Sequence, residues 1–257
     1  MNNAFFDFRI DKRTAVVELV NTVPDPSGFM DFCVALTELC GQIRVTPDIH
    51  VLTIIDRSGS AFSFTEEIIE QTARLPDLIQ RQIQVMIESL SELDRPVIAA
   101  IQGDAIGFGL EMILACDIRF ATTRSRFGIP GIKNGWIPWC GGSQRLPRIV
   151  GRGKALEVLL IGEPINALDA KEMGLLYRVL PESDLVPSAM KLSDTLGEKG
   201  LLSMGYIKEA VNKGMDLTLA QGLRLEADLY YLLHTTNDRA EGIKAFQERR
   251  PPDFSGK

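Results

Sequence analysis

The chain has 257 residues, of which 45% are hydrophobic, and its formal net charge at pH 7 is -6. This composition can bury a large core and argues against disorder. The negative charge argues against nucleic acid or an anionic membrane as the main partner, because both favour a basic surface. No apolar run is long enough to span a bilayer, and the first residues lack the pattern of a signal peptide. We therefore expect a cytoplasmic protein with no membrane partner.

Short apolar runs rich in β-branched residues alternate with helical patterns up to Leu180. Strands are predicted at Ala15–Val20, Val51–Ile55, Val97–Ile101, Ile118–Thr122 and Leu175–Leu180, and helices at Phe29–Ile43 and Ile79–Leu93. This alternation indicates βαβ units, and so a largely parallel sheet with helices on its faces.

The pattern becomes purely helical after Leu180. Helices are predicted at Asp184–Lys199, Leu201–Lys213, Leu217–Leu233 and Arg239–Arg249, with glycines at their ends. We therefore expect an α/β core over residues 1–195. A C-terminal helical region over residues 196–257 packs on that core or on a neighbouring subunit.

The cysteines and histidines do not form a metal-binding pattern. The chain has four cysteines, none in CxxC spacing, and two histidines, so neither a zinc site nor a disulfide framework is expected. Cys33 and Cys40 stand seven positions apart in an amphipathic stretch. We expect them to share one buried helix face.

A glycine-rich turn joins the predicted strand Val97–Ile101 to a short apolar helix that carries a carboxylate. Gly103, Gly107 and Gly109 permit a tight turn and a close approach of the backbone. Glu111 lies near the helix start, and glutamate is seldom fully buried unless it is paired. A functional role is the preferred interpretation. The alternative is that Glu111 only complements the positive end of the helix.

The glycine turn with Glu111 resembles the second oxyanion-hole motif of the crotonase (enoyl-CoA hydratase/isomerase) superfamily. Further segments similar to that family follow in its order, at Phe127–Pro130, Ile137–Leu146, Gly151–Ala155, Ala167–Leu175, Asp238–Phe246 and Arg249–Phe254. The resemblance covers nearly the whole chain. It implies a crotonase-like β-β-α spiral core (residues 1–195) and a C-terminal trimerisation region (residues 196–257), with trimers that pair into hexamers.

The resemblance also implies acyl-CoA thioester substrates and no separate cofactor, since coenzyme A enters as part of the substrate. The shared chemistry is stabilisation of a thioester enolate by two backbone N–H groups. By position, these donors would be the amides of Glu66 and Phe108. A glycine turn that enters a helix can aim such donors at one point, and each contributes about 2.7–4 kcal/mol to acyl-transfer transition states.

The chain departs from the family pattern in two respects. The first motif carries Phe64 and Glu66 where small residues and a glycine are usual. Typical hydratases hold and activate water with two glutamates. Glu111 matches the first, but Gly131 stands after Pro130, where the second is expected. The carboxylate pair is therefore incomplete, which puts ordinary straight-chain enoyl-CoA hydration in question and leaves the enolate machinery in place.

We predict a hydratase-type lyase that adds or removes water at an enoyl- or cyclic dienoyl-CoA, with Glu111 transferring the proton. The alternatives are an enoyl-CoA isomerase or an acyl-CoA decarboxylase that uses the same hole, and a non-catalytic CoA-ester-binding protein. Asp104 and Lys133 flank the predicted site and are candidates to replace the missing carboxylate.

The predicted substrate-binding residues are Phe64, Gly109, Gly131, Trp136 and Trp139. With Phe108, the aromatic members could form a flat apolar slot for a ring-bearing acyl group. The alternative is that these aromatic side chains fill the core or a trimer interface.

Overall fold

The computed structural model describes residues 5–20, 26–60, 62 and 77–257. Its strands are β1 (Phe6–Asp11), β2 (Thr14–Leu19), β3 (Val51–Asp56), β4 (Val97–Ile101), β5 (Ala105–Ile106), β6 (Ile118–Thr122), β7 (Arg126–Gly128), β8 (Ile165–Asn166) and β9 (Arg178–Leu180). Its α-helices are α1 (Pro26–Arg44), α2 (Asp77–Ser91), α3 (Phe108–Leu114), α4 (Gly142–Val150), α5 (Arg152–Ile161), α6 (Ala167–Glu172), α7 (Glu182–Gly197), α8 (Leu201–Gly214), α9 (Leu219–Leu233) and α10 (Asn237–Glu248).

The main sheet has six strands in the order β1-β2-β3-β4-β6-β9. All neighbouring pairs are parallel except β1 and β2, which form an antiparallel hairpin at the edge. Every residue of β3 and β4 is buried, as expected for parallel strands that are covered on both faces. The largely parallel sheet is thus confirmed, and β1 is a strand that we did not predict.

Two layers of helices cover the main sheet. One face packs in the larger core with α1 and α2, and Cys33 and Cys40 are both buried there on α1, as predicted. The other face packs against α7 through a smaller cluster that includes Val16, Ile98 and Leu185. The burial of both faces explains why the central strands read as continuous apolar runs.

A second, three-stranded sheet stands beside the first, in the order β5-β7-β8. It positions the start of α3, because β5 leads directly into that helix. A 3-10 helix at Pro130–Asn134 follows β7. The sequence patterns did not predict this sheet, because strands of two or three residues are too short to show a period. The predicted strand Leu175–Leu180 is likewise shortened to its last three residues.

The helices after β9 confirm the predicted helical C-terminal part. Lys208 on α8 ties this part to the sheet, since its Nζ donates to a carboxylate oxygen of Asp117 at 2.8 Å and to the carbonyl oxygen of Arg95 at 3.2 Å. The division at residue 195 stays a prediction, and α7 runs across it. No helix in the described part of the chain is long and apolar enough to cross a membrane.

Candidate active site

Two glycines bring a separate loop into contact with the turn before α3. A Cβ atom on Gly103 would lie 1.6 Å from the carbonyl oxygen of Gly59, and a Cβ atom on Gly109 would lie 1.6 Å from that of Phe62. The N–H of Ile106 also donates to the Phe62 carbonyl at 3.2 Å. The backbone at Phe62 therefore lies directly against the first turn of α3, and only glycine fits at position 109.

Gly107 makes the sharp entry into α3. Its φ is 60°, a left-handed conformation that glycine adopts without steric cost. Its N–H donates to the carbonyl oxygen of Gly128 at 2.8 Å, which ties the turn to β7. The entry into α3 is thus anchored to the small sheet.

Glu111 lies on α3 and is only 3% exposed. One carboxylate oxygen, Oε1, accepts hydrogen bonds from the backbone N–H groups of Cys140 and Gly142, each at 2.8 Å. These amides lie at the start of α4, whose first residue is Gly142. Both hydrogen bonds end on Oε1, and the backbone N–H of Trp139 also acts on the carboxylate.

Opposing influences act on the pKa of Glu111. Burial raises this pKa above its usual value, while the backbone amides of Gly142, Cys140 and Trp139 and the positive charge of Arg145 act in the opposite direction. Carboxyl groups with a perturbed pKa are frequent at functional sites. This environment favours a functional role over the alternative in which Glu111 only complements the helix end.

The other residues predicted to bind the thioester oxygen or to form the aromatic slot lie in different surroundings. Phe108 is buried, and its ring packs edge-on against Phe29 with 4.9 Å between centroids. Its side chain is therefore part of the core, while its backbone begins α3. Trp139 is half-buried and directly precedes Cys140, and the backbone N–H groups of both residues act on Glu111. Glu66 and Phe64 lie outside the described residues.

Gly131 is half-buried in the 3-10 helix, close to Trp136. The Trp136 N–H donates to the Gly131 carbonyl at 2.9 Å. A Cβ atom on Gly131 would meet Trp136 Cβ at 3.5 Å, which is an ordinary van der Waals distance. A side chain is therefore sterically possible at this position.

Asp104 and Lys133 both form ion pairs away from Glu111. Asp104 binds Arg126 at 2.6 Å, and Lys133 binds Glu163 at 2.7 Å. Three of these four side chains are more than 40% exposed. Neither pair supports the idea that Asp104 or Lys133 replaces the missing carboxylate.

One residue near the site was missed by the sequence interpretation. Arg145 on α4 donates from Nη1 to the carbonyl oxygen of Cys140 at 3.1 Å, so it contacts the same turn that binds Glu111. The sequence feature that could have identified Arg145 is a basic residue three positions after Gly142. Among the residues that the structure describes, no group of three or more His, Cys, Asp or Glu side chains could hold a metal ion.

Comparison with known proteins gives consistent matches over most of the chain. The family model described as enoyl-CoA hydratase/isomerase matches residues 31–257. The mitochondrial enoyl-CoA hydratase of Pongo abelii is 37% identical over 204 residues, which are 79% of this chain and 70% of that protein. The crystal structure of an enoyl-CoA hydratase from Bacillus anthracis has a TM-score of 0.87 at 28% identity and covers 98% of this chain and 99% of its own. A Geobacillus kaustophilus HTA426 structure reaches 0.89 at 27% identity, with 100% and 98% covered. The predicted crotonase-like fold is confirmed.

Proposed function

The chain belongs to the enoyl-CoA hydratase/isomerase family, and from this premise we propose that it is a hydro-lyase that adds or removes water at the double bond of an enoyl-CoA thioester. The observation that carries the proposal is the buried carboxylate of Glu111, whose Oε1 is held by two amides. A glutamate desolvated in this way and oriented by fixed donors is suited to general acid–base chemistry.

The thioester oxygen is bound by the backbone N–H groups of Phe108 and Glu66. The contact between Gly109 and the carbonyl of Phe62 supports this assignment, because it places the backbone of Phe62, four positions before Glu66 in the sequence, against the start of α3. Two preorganised amides stabilise the negative charge that develops on that oxygen as the enolate forms. Coenzyme A is part of the substrate, and we expect no separate cofactor.

Glu111 moves the proton through Oε2, the oxygen that the two amides leave to other partners. In hydration, the water oxygen bonds to the β-carbon while one water proton passes to Oε2. The electron pair of the double bond moves to the enolate. When the enolate collapses, the proton on Oε2 is transferred to the α-carbon, so atoms and charges balance. Dehydration reverses these steps.

Incubation in heavy water with a panel of acyl-CoA and enoyl-CoA thioesters tests this function. We expect deuterium at the α-carbon and loss of the conjugated enoyl absorbance. A protein that binds these thioesters yet incorporates no deuterium and forms no product would instead be the non-catalytic alternative.

The second candidate function is that of an isomerase or a decarboxylase that forms the same enolate. The absence of a carboxylate at Gly131 favours this candidate. Without a second carboxylate, water activation depends on Glu111 alone, whereas loss of CO₂ from a malonyl-type thioester needs only the stabilised enolate. Product analysis separates the candidates, because a shifted double bond or released CO₂ replaces the hydroxyacyl product.

We propose a ring-bearing acyl group, supported by the half-buried Trp136 and Trp139 on the segment that follows Gly131. The core position of the Phe108 ring removes one member from the predicted slot. Competition between crotonyl-CoA and a cyclic dienoyl-CoA tests the proposal, and a clear preference for crotonyl-CoA would contradict it.

We also propose a homotrimer or a dimer of trimers. Apolar side chains exposed on the C-terminal helices support association; they are Ile207, Val211, Met215, Leu219, Leu223, Tyr230, Tyr231, Leu232 and Phe246. A surface of this kind favours a protein–protein interface. Light scattering coupled to size exclusion measures the subunit number, and a monomer at micromolar concentration would exclude the proposal. The cytoplasmic location stays a prediction.

A further inference from the structure

The turn whose amides bind Glu111 contains a residue with a positive φ, a conformation that favours glycine. Gly141 has a φ of 105°, and the amides on either side of it, from Cys140 and Gly142, both reach Oε1 of Glu111. The turn is tightly packed, since a Cβ atom on Gly142 would lie 2.7 Å from Ile129 Cδ1. The direction of both amides therefore follows from the conformation of three consecutive residues.

Arg145 holds this turn through hydrogen bonds to its carbonyl oxygens. Its Nη1 donates to the carbonyl oxygen of Cys140 at 3.1 Å, and its Nη2 donates to Oγ of Ser91 at 3.3 Å. A Cβ atom on Gly141 would lie 2.0 Å from Nη1, so the guanidinium group occupies the space next to that glycine. The backbone N–H of Arg145 also donates to the Gly141 carbonyl at 2.7 Å. Arg145 thus links the turn to the C-terminal end of α2.

Several titratable groups surround this link. Burial lowers the pKa of Arg145, and the acidic groups that face it, Glu111, Glu88, Cys140 and Glu92, oppose that effect. The groups that face Glu111 are Arg145 and the Cys140 thiol, whose pKa is raised by burial. Arg145 is the cation that lowers the pKa of Glu111, against the effect of burial.

We propose that Arg145 is a positioning residue for Glu111, which holds the Cys140–Gly142 turn so that both amides stay directed at Oε1. The catalytic part of this role rests on the proposed function of Glu111. Arg145 itself need not touch the substrate.

Arg145→Met tests the proposal, with Arg148→Met as the matched control. Arg148 lies on the same helix, but it is exposed and paired with Asp216. In Arg145→Met we expect kcat for hydration to fall about 10- to 100-fold with little change in KM, as for a misplaced catalytic group. Without the cation the pKa of Glu111 rises further, so the acidic limb of the kcat–pH profile moves to higher pH. Arg145→Lys should restore the position of that limb in part, and Arg148→Met should change neither quantity.

A carboxyl titration keeps the proposal testable if activity is absent. In protein with ¹³C-labelled glutamate side chains, the Glu111 signal is identified by its loss in Glu111→Gln. We expect it to titrate at higher pH in Arg145→Met. If that variant does not fold, Arg145→Gln, which retains an amide donor for the Cys140 carbonyl, replaces it with the same expectation.

The positioning role of Arg145 would be overturned if kcat and the Glu111 titration were both unchanged in Arg145→Met, or in Arg145→Gln where that variant replaces it. That outcome differs from failure of the proposed function, in which Glu111→Gln itself would keep full turnover.

Discussion

The backbone N–H of Gly142 donates a hydrogen bond of 2.8 Å to Oε1 of Glu111, a residue 31 positions earlier in the chain. The contact joins α3, which follows the glycine-rich turn, to the first residue of α4. The hydrogen bond gives the buried carboxylate a donor, and it gives the N–H of Gly142 an acceptor. That N–H has no partner within α4, because the first N–H groups of a helix lack intrahelical partners. The Glu111 carboxylate and the start of α4 therefore form one structural unit.

Glu111→Gln should abolish most turnover and preserve substrate binding. The amide oxygen of glutamine can still accept from Cys140 and Gly142, but the side chain cannot take a proton, so we expect kcat to fall about 10²- to 10⁴-fold. Calorimetric titration with a substrate analogue should show an almost unchanged Kd. Glu157→Gln, at an exposed ion pair on α5, is the control. Full turnover in Glu111→Gln would exclude Glu111 as the proton-transferring group.

The same substitution should change how stability depends on pH. The pKa of Glu111 is raised by burial above its usual value of 4.5, so the folded state holds this proton more tightly than the unfolded chain does. Stability from this group is fully present below pH 4.5 and is lost as the pH rises through the raised pKa. Urea unfolding at a series of pH values should show Glu111→Gln gaining on the wild type over this range. A constant difference would contradict the raised pKa.

Gly109→Ala should disrupt the site through the backbone. Its methyl group would lie 1.6 Å from the carbonyl oxygen of Phe62, so the loop or α3 must move. We expect a loss of stability of at least about 1–3 kcal/mol and a large drop in kcat. Gly153→Ala on α5 is the control, since nothing lies within 4 Å of the new methyl group. This control should be neutral or stabilise by about 0.4–1 kcal/mol. Equal behaviour of the two variants would argue against the close approach.

Gly131→Glu should raise hydration of crotonyl-CoA. The new Cβ atom meets Trp136 at an ordinary distance of 3.5 Å, and the carboxylate would complete the pair that typical hydratases use. The control is Gly131→Ala, which fills the same space without adding an acid. Steady-state hydration rates of the three proteins decide the question. If Gly131→Glu hydrates crotonyl-CoA no faster than Gly131→Ala, the missing carboxylate at position 131 does not limit hydration.

Lys208→Met should loosen the C-terminal helices. The side chain of Lys208 is 10% exposed, and its ammonium group binds the carboxylate of Asp117, which also accepts from the Val97 N–H at 2.7 Å. Loss of the ammonium group should cost about 1.5–3 kcal/mol, as for hydrogen bonds to charged groups. Lys213→Met, at an exposed i,i+4 pair, should cost no more than about 0.3–0.5 kcal/mol. Thermal unfolding of both variants provides the comparison. Equal losses of stability would show that Lys208 does not hold the C-terminal helices to the rest of the fold.

The central strands could be predicted because their burial on both faces is visible as unbroken apolar sequence. Val97–Ile101 was predicted with the bounds that the structure has. The edge strand β1 was missed because its residues are mostly exposed, with Ile10 54% exposed, so no apolar run marks it. The strands of the small sheet contain too few residues to carry a pattern.

In the site, the sequence identified Glu111 as unusual because a carboxylate stood where apolar residues were expected. It could not reveal that Cys140 and Gly142 hold that carboxylate, nor that Arg145 fastens their turn. The predicted aromatic slot stays a prediction, and the Phe108 ring lies in the core. Whether the Phe108 ring faces a pocket or the Phe29 ring depends on packing between elements distant in sequence.

The sequence by itself determined the α/β class, the buried central strands, the glycines of the turn and the carboxylate that stands among apolar residues. Each of these depends on local backbone freedom or on the burial of neighbouring residues, which leave a pattern in consecutive positions. Only the tertiary structure decided which amides bind Oε1, which cation faces Glu111, and that Gly109 lies against Phe62. These contacts join segments far apart in the chain, and their geometry is set by how the sheets and helices pack.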